Sequence, residues 1–573
     1  MIDLREQPLT NLPLNLRMAN LTKHIFGREF LAALLAVLLL SSPVFLQTPQ
    51  TTASTVLSAE ERDLSASVKV EIIREVTAAL SSPEMQGRGT MQAGGDRAAE
   101  YIAQRFAKLG LKPLGKASYM QPITFRETQF LPETSFKVGE EPFALGPDYV
   151  VTPPYSGDKS ASGPLVFVAY GLVSDIPKRD DLAGMDVKGK IVVLLEGPPK
   201  SVNKLSWTKA EAQINIIQSL VYRGAAGLLF VHTGTPDHPY SEMADYLTRR
   251  RVELSASEEL PGFLPPFLTF GDEAAEKLFA GSGVTLAQAL ESAEREGFKP
   301  FSLKKSAKIT VRLKKAKGVS NNVIGLLEGS DPKLKAEALV YTAHYDAYGV
   351  DQGNRIYHGA ADNALGVAEM IAAAEALTQS PSRTRRSIIF LAVTGEEYGG
   401  FGSSYWIDNP TWKIKQVAAN LNFDGMGTEV YGPVKTLVGY GAEHSSLGAL
   451  LNEVATATGL KIIADPRPEE KSFYRSDHYF FVKKGVPGLM ILGAPEGEVA
   501  AWTKRMKEWE RTDYHQPTDI VRPDWNWDGP RTMAAVGVVL GFRIANNDQM
   551  PGWLPDSPFN RERGTNKPPP PQP

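Results

Sequence analysis

The 573-residue sequence contains no cysteine. That absence excludes disulfides, a thiolate nucleophile, cysteine-ligated zinc and a lipid-modified cysteine near the N-terminus, so any metal must be held by His, Asp and Glu. Net charge is nearly absent too. With 62 basic residues against 65 acidic ones and no basic block in the globular part, nucleic acid is not an expected partner. No internal repeat is visible. The glycine-rich stretch Gly87-Arg88-Gly89-Thr90 with Gly94-Gly95 lacks the Gly-Lys-Ser/Thr of a phosphate loop and has no apolar strand before it, so it reads as a loop entering a helix.

What is present begins with a charged, then apolar, then polar order. Lys23, His24 and Arg28 precede the eleven-residue run Phe30 to Leu40, and Ser41-Ser42-Pro43 and a Thr/Gln/Ser stretch follow. This reads as a signal peptide, because a membrane span needs about 20 apolar residues. Continuation through Val44-Phe45-Leu46 gives an uncleaved anchor as the alternative.

Helical spacing of Leu64, Val68, Ile72, Ile73, Val76 and Leu80 predicts a helix over residues 58–80, and a second helix is expected from Asp96 to Leu109, stopped by Gly110. Between about residues 129 and 313 the texture is strand-rich. Leu165–Tyr170, Ile191–Leu195 and Gly227–Val231 are strand candidates, with a helix near 209–223. His232 and His238 there have no metal-spaced partner. From Ala338 onward apolar runs alternate with helical periods, which predicts an α/β sheet layered by helices. Strands are expected at 338–342, 388–393, 418–423, 437–439 and 488–492, and helices at 363–377, 445–458, 476–483 and 531–546.

Candidate chemistry sits at the carboxyl ends of those strands, where open α/β sheets gather functional groups. His344 with Asp346, then Asp362, the pair Glu396-Glu397, Asp424 and His515 stand out. Imidazoles and carboxylates without sulfur suit a borderline cation such as zinc. Adjacent glutamates diverge, so one can bind metal while the other faces the water that the metal polarises.

The segments His344-Tyr-Asp346, Asp362-Asn-Ala-Leu-Gly366, Thr394-Gly-Glu-Glu397, Asn422-Phe-Asp424, Ser476-Asp-His478 and Tyr514-His515-Gln-Pro517-Thr-Asp519 occur in one order. In that order the chain resembles the co-catalytic zinc aminopeptidases, whose relatives include glutamate carboxypeptidase II. The resemblance implies two zinc ions bridged by Asp362. One ion would add Glu397 and His515, the other His344 and Asp424. It further implies Glu396 as the general base and Asp346 as the carboxylate that fixes the His344 imidazole. His515 is preferred to His478 as a ligand because Gln516-Pro517-Thr518-Asp519 follows it. Tyr474 is the candidate for steadying an oxyanion or contacting substrate, and His358 and His444 read as structural or surface residues.

Asp181-Leu-Ala-Gly184, Val187–Val193 and Gly224–Phe230 resemble the protease-associated domain that is inserted in several such peptidases. The expected organisation is therefore a signal peptide or N-terminal anchor (1–46), a linker (47–57), the start of the peptidase domain (58–128), the inserted β-rich domain (129–313), a mixed-sheet zinc-exopeptidase domain layered by helices (314–546) and a Pro-rich tail (547–573). The expected function is that of an exported enzyme, periplasmic or extracellular, in which a metal-activated water cleaves the N-terminal bond of peptides with a free N-terminus. No membrane partner is expected beyond an N-terminal anchor. On the same fold a carboxypeptidase or dipeptidase, a single-zinc glutaminyl cyclase-like enzyme and a non-catalytic receptor-like relative are the alternatives.

Overall fold

The strands Ala338–His344, Ser387–Val393 and Val417–Asn422 are buried at every position. Such runs are stable only where helices cover both faces of a sheet. A computed structural model describes residues 55–115, 118–152, 157–175, 178–202, 212–232, 239–256, 264–425, 427–495 and 499–567. The expected signal peptide or anchor at 1–46 lies outside them, as do His238 and the last residues of the tail. Among the described residues no helix is long and apolar enough to cross a membrane.

The three buried strands form the middle of a ten-stranded sheet. Its order runs Arg251–Leu254, Met120–Phe130, Leu313–Leu327, Ser387–Val393, Ala338–His344, Val417–Asn422, Gly488–Pro495, Val434–Tyr440 and Lys461–Ile463, with Lys112–Pro113 beside Leu313–Leu327. The central pairings are parallel, and their register sets His344 opposite Val393 and Thr342 opposite Asn422. Three chain segments therefore leave the same edge of the sheet at nearly the same height. Helices Gly366–Gln379 and Asp528–Asn546 bury one face with Val70–Leu80, and Trp406 with Phe481 belongs to the apolar cluster on the other. These elements lie close to the expected ones.

Two expectations differ. The helix expected over 58–80 is two helices, Ala59–Ser67 and Val70–Leu80, because Val68 takes an extended conformation. Arg531 accommodates the break by donating to the carbonyls of Val68 and Ser65. The strand-rich region forms its own eight-stranded sheet, in the order Glu141–Phe143, Ser135–Val138, Phe301–Val311, Lys159–Phe167, Ile191–Leu195, Gly227–Val231, Phe267–Phe270 and Tyr149–Val151. Its core is apolar and aromatic, with Phe136, Phe143, Tyr149 and Phe270 in ring contact. One segment departs from it: Arg251–Leu254 returns to pair with Met120–Phe130 at the edge of the larger sheet. The expected boundaries near 129 and 313 fall at the long strands Met120–Phe130 and Leu313–Leu327, which belong to the larger sheet.

Helix Asp528–Asn546 can lie close on the sheet because two glycines face it. Tyr341 stacks between Phe390 and Phe423 and donates its hydroxyl to the Gly537 carbonyl at 2.7 Å. A Cβ on Gly541 would come within 1.7 Å of that hydroxyl, and one on Gly537 within 2.5 Å of the Phe423 ring. Gly541→Ala should therefore destabilise the protein by about 1–3 kcal/mol through overpacking, although alanine is the better helix former. Urea unfolding measures the change, and a neutral or stabilising result would contradict this packing.

Candidate metal centre

The candidate ligands gather beyond the carboxyl ends of the central strands, Asp362 from the turn before helix Gly366–Gln379 and His515 from the turn after helix Val499–Thr512. His344 is the last residue of its strand, and the others sit in turns just beyond strands or helices. Asp362 lies at an irregular turn, φ −116° and ψ 94°, before helix Gly366–Gln379. Its neighbour Asn363 ties two segments together: its amide donates to the Phe423 carbonyl at 2.9 Å, and its oxygen accepts from the backbone N–H groups of Gly366 at 3.1 Å and Gly425 at 3.2 Å. The turn bearing Asp362 is thereby locked to the one bearing Asp424. Glu396 and Glu397 follow Gly395, whose φ of +74° makes the sharp exit from Ser387–Val393. His515 itself has φ +57°, a left-handed conformation that costs a non-glycine residue about 1–2 kcal/mol.

The structure brings these side chains into two groups that share one carboxylate. His344, Asp362 and Asp424 form one, and Asp362, Glu397 and His515 the other, with ligand atoms within 4.8 Å of one another in each. The two oxygens of Asp362 face different histidines. Oδ1 is 3.2 Å from His344 Nε2, and Oδ2 is 3.4 Å from His515 Nε2. Asp424 Oδ1 lies 3.3 Å from His344 Nε2, and Glu397 Oε2 lies 3.1 Å from His515 Nε2. Zinc bonds of about 2.0–2.1 Å in a tetrahedron separate neighbouring ligand atoms by about 3.3 Å, so the donor set fits two such ions in spacing and in chemistry.

Electrostatics points the same way. Asp346, Asp362, Glu397, Asp477 and Asp519 are all buried, and crowded buried carboxylates need cations or protons. Burial pushes Asp346 up to about 6 and Asp519 to about 7. Burial, then Asp477, Asp424 and Glu397, push Glu396 well above the usual carboxylate range, against the opposing pull of His344. Asp362 goes the other way: burial would raise it, but His344 and His515 hold it below its usual value. His515 rises to about 9 because Glu397 and Asp362 outweigh its burial.

A supporting tier holds the ligands. Asp519 accepts the backbone N–H groups of Ala361 at 2.9 Å and Asp362 at 3.0 Å, and Ser476 donates its hydroxyl to Asp424. The Tyr348 hydroxyl is 3.3 Å from His515 Nδ1. Fully buried Arg88 donates to the carbonyls of Leu80, Tyr345, His358 and Gly359, pinning both ends of the segment between His344 and Asp362. Asp346 differs in detail from the expected partner of His344. Its backbone carbonyl is 3.2 Å from His344 Nδ1, while the carboxylate is 3.8 Å away and instead accepts from the Glu396 N–H at 3.2 Å and the Thr90 hydroxyl at 3.2 Å. The carboxylate thus braces the glutamate turn.

Tyr474 does not join this group. Its ring packs with Phe473, Tyr479 and Phe559 in a separate aromatic cluster, whereas Tyr514 stacks on His515 at 3.6 Å between centroids. His478 is buried beside Phe473, and burial pushes its imidazole down to about 3. His358 Nδ1 meets the Ser81 carbonyl at 2.8 Å, and His444 packs on Phe473 and Phe559. Four supporting residues carry only an indirect signal in the sequence: Ser476 and Asp519 lie inside the family-like segments, and Arg88 and Thr90 lie in the glycine-rich loop before helix Ala93–Lys108. Tyr348 and Arg249 carry no local signal at all.

Residues 322–539 match the family profile of peptidase family M28. Among curated proteins, aminopeptidase YwaD of Bacillus subtilis (strain 168) is 29% identical over 211 residues, 35% of this chain and 40% of the relative. A vacuolar membrane protease of Clavispora lusitaniae is 34% identical over 108 residues, 19% of this chain and 10% of the relative. Human transferrin receptor protein 2 is 25% identical over 296 residues, 48% of this chain and 34% of the relative. The chain thus spans less than half the length of these relatives. The solved aminopeptidase from Aneurinibacillus sp. strain AM-1 superposes with a TM-score of 0.58 and 17% identity, over 86% of this chain and 97% of that one, a likeness of fold.

Two outcomes are expected. Zinc at about a hundredfold its dissociation constant should stabilise the native state by about 2.7 kcal/mol per site, reversed by chelation; a melting temperature indifferent to zinc would contradict the ligand grouping. Asp519→Asn replaces one acceptor of the Ala361 and Asp362 amides by a donor and should weaken zinc binding about 10–100-fold, as read by chelator competition.

Proposed function

We propose that this chain, whose residues 322–539 match the profile of peptidase family M28, is a two-zinc aminopeptidase of that family that removes N-terminal residues from peptides. The observation that carries the reading is the pair of ligand triads sharing Asp362, with Glu396 beside them. Asp362, Glu397 and His515 would hold one ion and His344, Asp362 and Asp424 the other. Zinc bound there supplies a polarised scissile carbonyl and a water acidified toward a pKa of about 7.

The chain's own residues do the rest. The Glu396 carboxylate lies 4.0 Å from His344 Nε2 and is largely buried. It is braced through its own amide by Asp346, so it acts as the base that takes a proton from the attacking water and returns it to the leaving amine. A free α-amino group is received by the surplus of carboxylates around Asp362.

The carboxypeptidase reading requires an idle cation to receive a C-terminal carboxylate. Arg475, the basic residue beside the segment Ser476-Asp-His478, is 3.6 Å from Glu470, and Arg249 is paired with Asp245. Their charges are already matched, which favours the amine-directed reading. Likeness to transferrin receptor protein 2 brings in a receptor-like reading, and the complete ligand set weighs against it. Export of the enzyme is part of this proposal and rests on the charged, apolar and polar order of residues 23–50.

The test compares aminoacyl anilides, N-blocked peptides and peptides with a free C-terminus, before and after chelation and zinc return. Cleavage of the anilides, lost on chelation and restored by zinc, is expected; activity confined to N-blocked substrates would sink the aminopeptidase assignment. Glu396→Gln should keep its zinc while turnover falls about 10²–10⁴-fold, and undiminished turnover in the zinc-loaded variant would remove Glu396 as the base.

A further inference from the structure

The two ligand groups are not equally supported by their own elements. His344 ends a buried strand and Asp424 is held by Ser476, all within the larger sheet and its loops. His515 instead stands in a turn after helix Val499–Thr512, with a left-handed backbone and a ring 25% exposed. Tyr514 stacks on it and its turn is hydrogen-bonded from Gln516 to Asp513, but the contacts to its carbonyl and to Nδ1 come from far away in the chain.

Arg249 donates to the His515 carbonyl at 2.7 Å. Its guanidinium lies over the Tyr348 ring at 4.2 Å and the Tyr357 ring at 4.6 Å. Tyr348 in turn meets His515 edge-on, with centroids 4.9 Å apart, and sets its hydroxyl against Nδ1. One guanidinium therefore grips both the backbone of His515 and the tyrosine that orients its imidazole. The side chain is 7% exposed and is anchored by Asp245 one helical turn earlier.

The position of Arg249 in the chain gives this grip its meaning. Helix Tyr240–Thr248 packs Ala244 and Leu247 on Val150 of the smaller sheet, and Arg251–Leu254 then joins the edge of the larger one. Arg249 sits at the junction of the two.

We propose that Arg249 is a positioning residue for His515, through which the smaller sheet governs metal retention at the Asp362–Glu397–His515 group and not at the His344–Asp362–Asp424 group. The inference rests on the two-zinc reading. Arg249 touches neither metal nor substrate in this scheme. It acts by adding, to the turn's own Gln516 N–H to Asp513 carbonyl bond and the Tyr514 stack, a hold on the His515 carbonyl and on the tyrosine beside its imidazole.

The experiment titrates the full-length protein with zinc against a competing chelator, resolving two affinities. For Arg249→Ala one affinity should weaken about 10–100-fold, the range found when a partner of a ligand is removed, while the other stays at the wild-type value. Tyr348→Phe, which keeps the ring and loses the hydroxyl, should weaken the same site by less. On a His515→Ala background, which retains a single zinc, adding Arg249→Ala should change the remaining affinity less than about threefold, as a double-mutant cycle requires of residues acting through one group.

Two unchanged affinities in Arg249→Ala, or equal weakening of both, would overturn the proposal. Should Arg249→Ala fail to give a cooperative melt, Arg249→Lys decides. It keeps the cation but not the planar fork, so selective weakening supports the role and wild-type affinities overturn it. Wild-type protein binding fewer than two zinc ions, or His515→Ala retaining two, would show instead that the two-metal reading has failed.

Discussion

Acidic side chains buried side by side repel one another and lose hydration together, and this centre assembles Asp346, Asp362, Glu396, Glu397, Asp424 and Asp477 in one place. Everything around it can be read as a way of making that concentration tolerable. Backbone N–H groups turn toward Asp519, Ser403 and Ser476 donate to Asp477 and Asp424, and Arg88 brings a fully buried cation whose charge is offset by Asp519, Asp346 and Asp362. Two imidazoles face the two oxygens of Asp362 and complete the balance.

The sheet makes such crowding achievable. Because the central strands are parallel and in register, the segments after His344, Val393 and Asn422 exit together, and Asn363 then fastens two of those exits to each other. Ligands separated by tens of residues in sequence thereby converge without long flexible side chains. Close packing of Asp528–Asn546 over Tyr341, Phe390 and Phe423 stiffens the strands from behind.

The smaller sheet is tied to this arrangement by one short pairing, Arg251–Leu254 on Met120–Phe130, and by the arginines just before it. Arg249 reaches His515, and Arg250 reaches the carbonyl of Thr90, whose hydroxyl binds Asp346. Consecutive side chains from one region thus touch the supports of both the ligand His515 and the glutamate turn. That connection offers a physical route by which whatever the smaller sheet contacts could alter the metal centre.

Much of this was legible in the residues. Continuous apolar runs announced buried strands, and helical spacing placed the covering helices. Short acidic and histidine segments marked His344, Asp362, Glu396, Glu397, Asp424 and His515, although the expectation that all stand at strand ends fails for Asp362 and His515, which flank helices. Those signals are local, and periodicity and composition report local burial and backbone form. Which oxygen of Asp362 faces which histidine, the turning of Tyr474 into an aromatic cluster, and the bracing of Glu396 by Asp346 depend on through-space neighbours that no local pattern encodes. Arg249 is the extreme case. It lies 266 residues from His515 in sequence, in a stretch that carries no local signal, and the folded pairing of Arg251–Leu254 with the larger sheet brings its guanidinium to the histidine.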